Sequence, residues 1–226
     1  MQGAHVVPAD RGVFLATSWR MEPSLTAMVS QLFYDGRLNA NPANDSNAIS
    51  WRQPCIGATG EVLPQQGLVF EAVEHNDCSV CSEAEIDRIE QLVDALLGSS
   101  YCHAAAGQQM RGVLSPEQIL VTAPYNVQVN RLQQRLGNKA RVGTVDRFQG
   151  QEAPVAIHSL TASDGDAAPR GLGFLLEPNR LNVAISRAQC LSIVVGSPGL
   201  TTGIASTVQE AEQINQVYFK LCRCQG

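Results

Sequence analysis

Lysine is nearly absent from this chain: of its 16 Lys and Arg side chains only Lys139 and Lys220 are lysines, and neither lies in a glycine-rich loop. Positive charge is not in excess either. The net charge is -5 and the pI about 5.4, which excludes the broad basic surface that dominates non-specific nucleic-acid binding, so any such contact has to be local. No stretch approaches the roughly 20 apolar residues that cross a bilayer. There is no internal repeat and no low-complexity segment. A paired cysteine framework is missing as well, because the seven cysteines are odd in number and scattered. With no recognisable secretory signal, they predict free thiols in a reducing compartment and a cytoplasmic protein. Cys78-x-x-Cys81 lacks a second pair at comparable spacing: Cys222-x-Cys224 is remote, and His75 and His103 lie in loop-like sequence. No metal site is expected.

What remains is enough for one well-filled core. With 226 residues and 44% hydrophobic residues, a single domain over 1–226 is the expectation. Short β-branched runs alternate with amphipathic helices, the pattern of a parallel sheet with helices on both faces. Strands are predicted at 12–16, 68–73, 118–123, 140–145, 154–160 and 191–197, nearly continuous in hydrophobicity as doubly buried strands are.

Helices fall between them. One starts at Pro23 with Leu25, Met28, Val29, Leu32 and Phe33 on one stripe. A second opens with Ser82 and Glu85 as a capping box, turns Ile86, Ile89, Val93 and Leu97 to one face and stops at Gly98. A third, "NVQVNRLQQRLG", points Val129, Leu132 and Leu136 inward. A fourth, over about 179–188, buries Leu181, Ala184, Ile185 and Ala188 and sets Arg180, Val183 and Arg187 on a neighbouring stripe. Segments 39–67 and 98–116 break the alternation and read as long loops, insertions or contact surfaces. Residues 205–226 read as a C-terminal helix or tail.

In an open parallel sheet ligands gather at the carboxyl ends of the strands, which directs attention to "TSWRMEP", "APYNVQ", "TVDRFQGQE" and, before the last strand, "EPNRLNVAISRAQ". Two arginines in the last stretch are ordinary surface residues when taken alone. Arg20, following Trp19, alters that balance, because a planar cation beside a flat ring suits a nucleotide, and guanidinium groups meet phosphate oxygens in bidentate fashion.

Together "SWRMEP", "TAPYNVQ", "VGTVDRFQGQEAPVAIHSL" and "NRLNVAISRAQ" resemble the ordered motifs of the second RecA-like motor domain of superfamily 1 helicases. The likeness is to the up-frameshift branch, and within it to bacterial fusions with a RecB-like nuclease. It runs from residue 12 to about 200. The resemblance implies an α/β, RecA-like P-loop NTPase-type three-layer fold with a mainly parallel sheet. It implies that Arg187 is the arginine finger on the γ-phosphate of ATP and Arg20 a second cation near it. Trp19 is then placed against adenine, Gly150 allows close backbone approach, and Glu152 accepts from the ribose hydroxyls. Thr144, Tyr125 and Asn126 face the nucleic-acid backbone. Other readings stay open: Trp19 as a core aromatic, Glu152 as a helix cap, Tyr125 as packing.

The chain also departs from a complete motor. It has no G-x-x-x-x-G-K-[ST] loop and no strand-ending acidic pair for Mg²⁺. By the resemblance, ATP and Mg²⁺ belong to the full-length protein, with the metal held by a first motor domain expected ahead of Met1. Partners are then that domain, single-stranded nucleic acid (DNA by preference) and an attached nuclease, and no membrane. The isolated chain is expected to bind ATP very weakly and not to hydrolyse it. Glu22 stands where relatives commonly carry histidine. The competing expectation is a docking module that keeps the scaffold without hydrolysis.

Overall fold

A computed structural model describes residues 12–105, 108–165, 167–201 and 221. Along them run β1 (Thr17–Ser18), α1 (Pro23–Phe33), β2 (Asn39–Ala40), β3 (Ala48–Ser50), β4 (Gly67–Ala72), α2 (Glu83–Leu96), β5 (Ser100–Ala105) and β6 (Gln108–Val113). They continue with β7 (Ile119–Thr122), α3 (Asn126–Leu136), β8 (Arg141–Gly143), β9 (Ala153–Ser159), α4 (Leu172–Leu175), α5 (Pro178–Ile185) and β10 (Ala188–Gly196). Five strands form a central sheet in the order β4-β10-β9-β7-β8, and every pairing in it is parallel.

The sheet is buried on both faces because its strands are apolar at odd and even positions alike. Ile157, Ile193 and Val195 join Ile86, Ile89 and Leu92 of α2 and Leu132 of α3 in one core. Ala156 and Val194 face the other way, into a second core with Leu25 and Val29 of α1 and Leu181 and Ile185 of α5. The result is the three-layer α/β arrangement with a mainly parallel sheet that the sequence predicts. Truncating a wholly buried residue such as Ile157 to alanine costs about 2–5 kcal/mol, so both layers are fixed by packing.

The run at 12–16 is not a strand. Only Thr17–Ser18 pairs, and with β2 rather than with the central sheet; Val13 and Leu15 are 92% and 81% exposed. Phe14 alone finds company, its ring 6.0 Å from that of Tyr34. The predicted helix over 179–188 ends at Ile185, and β10 begins at Ala188. Helical spacing and a strand start are indistinguishable there, since Leu181, Ala184, Ile185 and Ala188 all enter buried positions.

The long loops at 39–67 and 98–116 hold a small antiparallel sheet in the order β3-β5-β6. Its strands, AIS, SYCHAA and QQMRGV, show no sustained hydrophobic alternation from which to read them. The capping box at α2 is only half formed. Ser82 Oγ accepts from the Glu85 N–H at 3.2 Å, but the Ser82 N–H donates to Gln128 Oε1, and the Glu85 carboxylate is used elsewhere. That carboxylate is wholly buried and accepts from the Thr161 N–H, from the Ser159 hydroxyl at 2.5 Å and from His75 at 3.0 Å. Apart from Leu221, the tail at 205–226 lies outside the described residues.

Candidate functional site

Two groups of sequence-predicted residues gather at opposite ends of the sheet. Glu152 immediately precedes β9 and Arg187 immediately precedes β10, and Ala153 pairs with Ala188, so both side chains leave the amino-terminal edge. Arg187 therefore sits in a turn rather than on a helix, and at the end of the strands opposite to the carboxyl ends that the general rule for open sheets indicated.

Arg20 reaches this edge from the turn after β1. The turn is stitched down by the Glu22 N–H, which donates to the Gln189 carbonyl at 3.0 Å, and by Asn47 Nδ2, which donates to the Arg20 carbonyl at 3.1 Å. From there Arg20 Nε donates to Glu152 Oε2 at 2.5 Å and Nη1 to the Ser186 carbonyl at 2.9 Å. Gln189 Nε2 holds the other carboxylate oxygen at 3.0 Å. Glu152 is thus an anion between side chains from two remote segments, and it caps no helix.

Arg187 is 8% exposed, and its guanidinium is solvated by main-chain carbonyls: Nε donates to Val183 at 2.9 Å, and Nη1 to Gln151 at 3.0 Å and Phe148 at 3.4 Å. Burial, and after it the like charge of Arg20, lowers its pKa from the ordinary arginine value, with Glu152 opposing. An arginine remains charged under such a shift. Two cations and one carboxylate therefore share this edge.

Trp19 is 75% exposed, which removes the core-aromatic reading and leaves a flat ring next to Arg20. Gly150 has φ +81°, and a Cβ at this position would meet no heavy atom within 4 Å, so backbone conformation rather than crowding within this chain calls for glycine. Glu22 is wholly buried and caps α1, accepting from the Ser24 N–H at 2.7 Å and from the Leu25 N–H. Its carboxylate serves the helix, not Arg20.

The carboxyl ends of β7, β8 and β9 frame a cleft of about 400 Å³. Tyr125, Asn126 and Thr144 line it as the sequence indicated, together with Asp146, His158, Arg170, Phe174 and Arg180. Tyr125 packs its ring 5.6 Å from that of Phe174, and its hydroxyl is buried with no hydrogen-bond partner among the described residues. Burial raises its pKa, with Arg170 opposing. His158 is held neutral, its pKa pushed down to about 4 by burial, and Nδ1 lies 2.8 Å from Thr122 Oγ1. Arg170 and Phe174 escape a reading of the sequence because one precedes and the other lies on the four-residue helix α4, too short for any periodicity to mark them.

The two sites are about 20 Å apart, the length of the seven-residue strand β9. Two connectors span that distance: segment 144–152, from Thr144 in the cleft to Glu152 at the edge, and segment 180–187, from Arg180 to Arg187. Among the described residues no three of His, Cys, Asp and Glu gather closely enough to hold a metal ion. The donor set at the amino edge suits phosphate and ribose oxygens rather than a cation.

A parallel sheet between two helical layers, with two arginines meeting at one end and an aromatic, basic cleft at the other, defines a three-layer α/β domain. The chain belongs to the AAA domain family (AAA_12), which it matches over residues 3–199. It is 32% identical over 209 residues to putative helicase mov-10-B.1 of Danio rerio, covering 81% of this chain and 19% of the relative. It is 31% identical over 195 residues to RNA helicase Mov10l1 of Mus musculus, covering 81% and 15%. With the regulator of nonsense transcripts 1 homolog of Drosophila melanogaster it shares 28% over 210 residues, 85% and 16%. The chain thus spans a fifth or less of the length of these relatives. Among solved structures, the C-terminal domain of a possible DNA helicase from Lactobacillus plantarum aligns over 81% of this chain and 92% of its own, with a TM-score of 0.41 and 13% identity.

Proposed function

We propose that this domain is the second motor lobe of an ATP-driven helicase or translocase, closing its arginine edge on the phosphates of an ATP carried by a companion lobe. The observation that carries this reading is the convergence of Arg20 and Arg187 around Glu152. The Arg20–Glu152 pair is partly open to water, at 29% and 47% side-chain exposure, so it contributes no more than about 1 kcal/mol and is readily exchanged. A triphosphate offers Arg20 charged oxygens in place of the carboxylate, and it releases Glu152 to accept from ribose hydroxyls. Arg187 exchanges carbonyl partners for the γ-phosphate, where a finger of this type is worth about 10³–10⁵ in turnover. Trp19 supplies an exposed face for the base. Mg²⁺, which neutralises phosphate charge in such reactions, is assigned to the companion lobe.

The carboxyl-end cleft is the track for single-stranded nucleic acid, with Thr144 and Asn126 towards the backbone. Segments 144–152 and 180–187 join it physically to the arginine edge, which gives closure around nucleotide a path to the strand. The preference for DNA and for an attached nuclease rests on the resemblance to nuclease fusions alone, and the relative named an RNA helicase speaks for the other polymer. A cytoplasmic location accords with the free thiols and with the absence, among the described residues, of a helix long and apolar enough to cross a membrane.

The test is a separation of effects in the intact protein. Arg20→Ala is expected to lower nucleic-acid-stimulated ATP hydrolysis while leaving oligonucleotide affinity in place. Thr144→Ala combined with Asn126→Ala is expected to lower affinity for DNA or RNA strands, assayed separately, while leaving the basal hydrolysis. Equal loss of both properties in both variants would contradict the assignment of two sites.

A further inference from the structure

We infer that Phe174 is a base-stacking residue and that Arg170 and Arg180 are its flanking phosphate donors, an inference that rests on the cleft being a nucleic-acid track. Phe174 stands on the four-residue helix α4, half-buried in the cleft wall. Two guanidinium groups from different segments lie against its ring: Arg170 at 3.8 Å and Arg180 at 4.6 Å from the centroid. Both arginines are exposed, and among the described residues neither has a carboxylate within ion-pair reach.

The chemistry of this cluster is specific. A guanidinium is attracted to an aromatic face by only about 0.5–1 kcal/mol at an exposed site, so Arg170 and Arg180 rest on the Phe174 ring without being committed to it. Weakly held groups of this kind can swing from the ring to the phosphates on either side of a nucleobase, which frees a face of the ring for stacking. The cleft beside it has room for such a base, at about 400 Å³, and the Tyr125 ring, also in the lining, is tilted 40° against that of Phe174. Among the described residues Asp146 is the one carboxylate in the lining, so with His158 neutral the balance among them is positive. A base stacked on one ring must be splayed from its partner, which makes the site selective for single strands and tolerant of sequence.

The experiment compares two fluorescent probes on the 226-residue chain by anisotropy: a deoxythymidine oligonucleotide and a strand of the same length made of abasic sites. Both carry the same phosphates, so their affinity ratio isolates base stacking. The wild-type chain is expected to prefer the base-bearing strand by about 5- to 150-fold. Phe174→Leu, which keeps the apolar packing but has no π face, is expected to abolish that preference while the abasic strand still binds, and Phe174→Trp to restore it. Replacing both Arg170 and Arg180 by Gln is expected to weaken both strands and to flatten the salt dependence of log K by about 1.4. Retention of the base preference in Phe174→Leu, or its absence in the wild type while both strands bind, overturns the stacking role and leaves the track assignment standing. Failure of the wild type to bind either strand overturns both.

Discussion

Arg20 and Glu152, 132 positions apart in the chain, meet at 2.5 Å on the amino-terminal edge of the central sheet, with Arg187 alongside. The contact is possible because Glu22 and Asn47 tie the Arg20 turn to Gln189, the second residue of β10. A charged cluster is thereby built from three segments that share no secondary-structure element.

The pair is exposed enough to matter little for folding. Arg20→Ala is expected to change the unfolding free energy by no more than about 1 kcal/mol in urea titration, apart from lost packing of the aliphatic stem. The same substitution is expected to reduce nucleic-acid-stimulated ATP hydrolysis by about 10²–10³, the scale of one electrostatic donor in a closed site. A large fall in stability without a fall in turnover marks the pair as structural.

Glu85 has the opposite balance. It is wholly buried, and its oxygens accept from the Thr161 N–H, the Ser159 hydroxyl and His75. Thr161 holds φ at +71°, a conformation that a β-branched residue adopts only under constraint, and the Glu85 carboxylate is that constraint. Glu85→Ala is expected to cost about 3–5 kcal/mol in urea denaturation, because the buried donors lose their acceptor.

His158 gives the fold an acid limit. Its folded pKa is about 4 because burial disfavours the imidazolium, against an ordinary value of 6.5. Between those values the unfolded chain binds a proton that the folded chain refuses. Stability is therefore unaffected by this group above pH 6.5 and falls as pH drops towards 4, by up to about 3 kcal/mol. His158→Gln, which can keep the bond to Thr122, is expected to flatten the pH dependence of urea midpoints across this window by a comparable amount. Identical slopes for the two proteins contradict the assignment.

The cysteines separate by burial. The Cys190 thiol is pushed up to about 12, chiefly by burial, and burial raises Cys55 as well, whereas Cys78 is half-exposed. At about pH 8, iodoacetamide followed by peptide mass mapping is expected to label the half-exposed Cys78 and Cys102 while sparing Cys190 until the chain unfolds.

Sequence and structure part company at identifiable places. Helices α1, α2 and α3 and the interior strands are legible because each repeats its apolar spacing over several turns or is continuous across a buried strand. Glu22 is readable as an oddity but not as a cap, since capping by a glutamate side chain three residues ahead of Leu25 leaves no distinctive spacing. Arg187 can be singled out by its motif, yet its location is misjudged from sequence: a helix drawn through Ala188 places the arginine on a stripe beside the buried one, whereas the turn at Ser186 folds its guanidinium onto carbonyls. Phe174 lies out of reach, because what distinguishes it is two cations from separate segments, a relationship that exists only in three dimensions.

The central claim is that the Arg187 guanidinium completes an ATP site shared with a companion lobe. It is tested most directly by steady-state ATP hydrolysis, with saturating single-stranded nucleic acid, in the intact protein carrying Arg187→Ala. The account predicts turnover lower by about 10³–10⁵ with nucleotide affinity little altered. Wild-type turnover in that variant would contradict it.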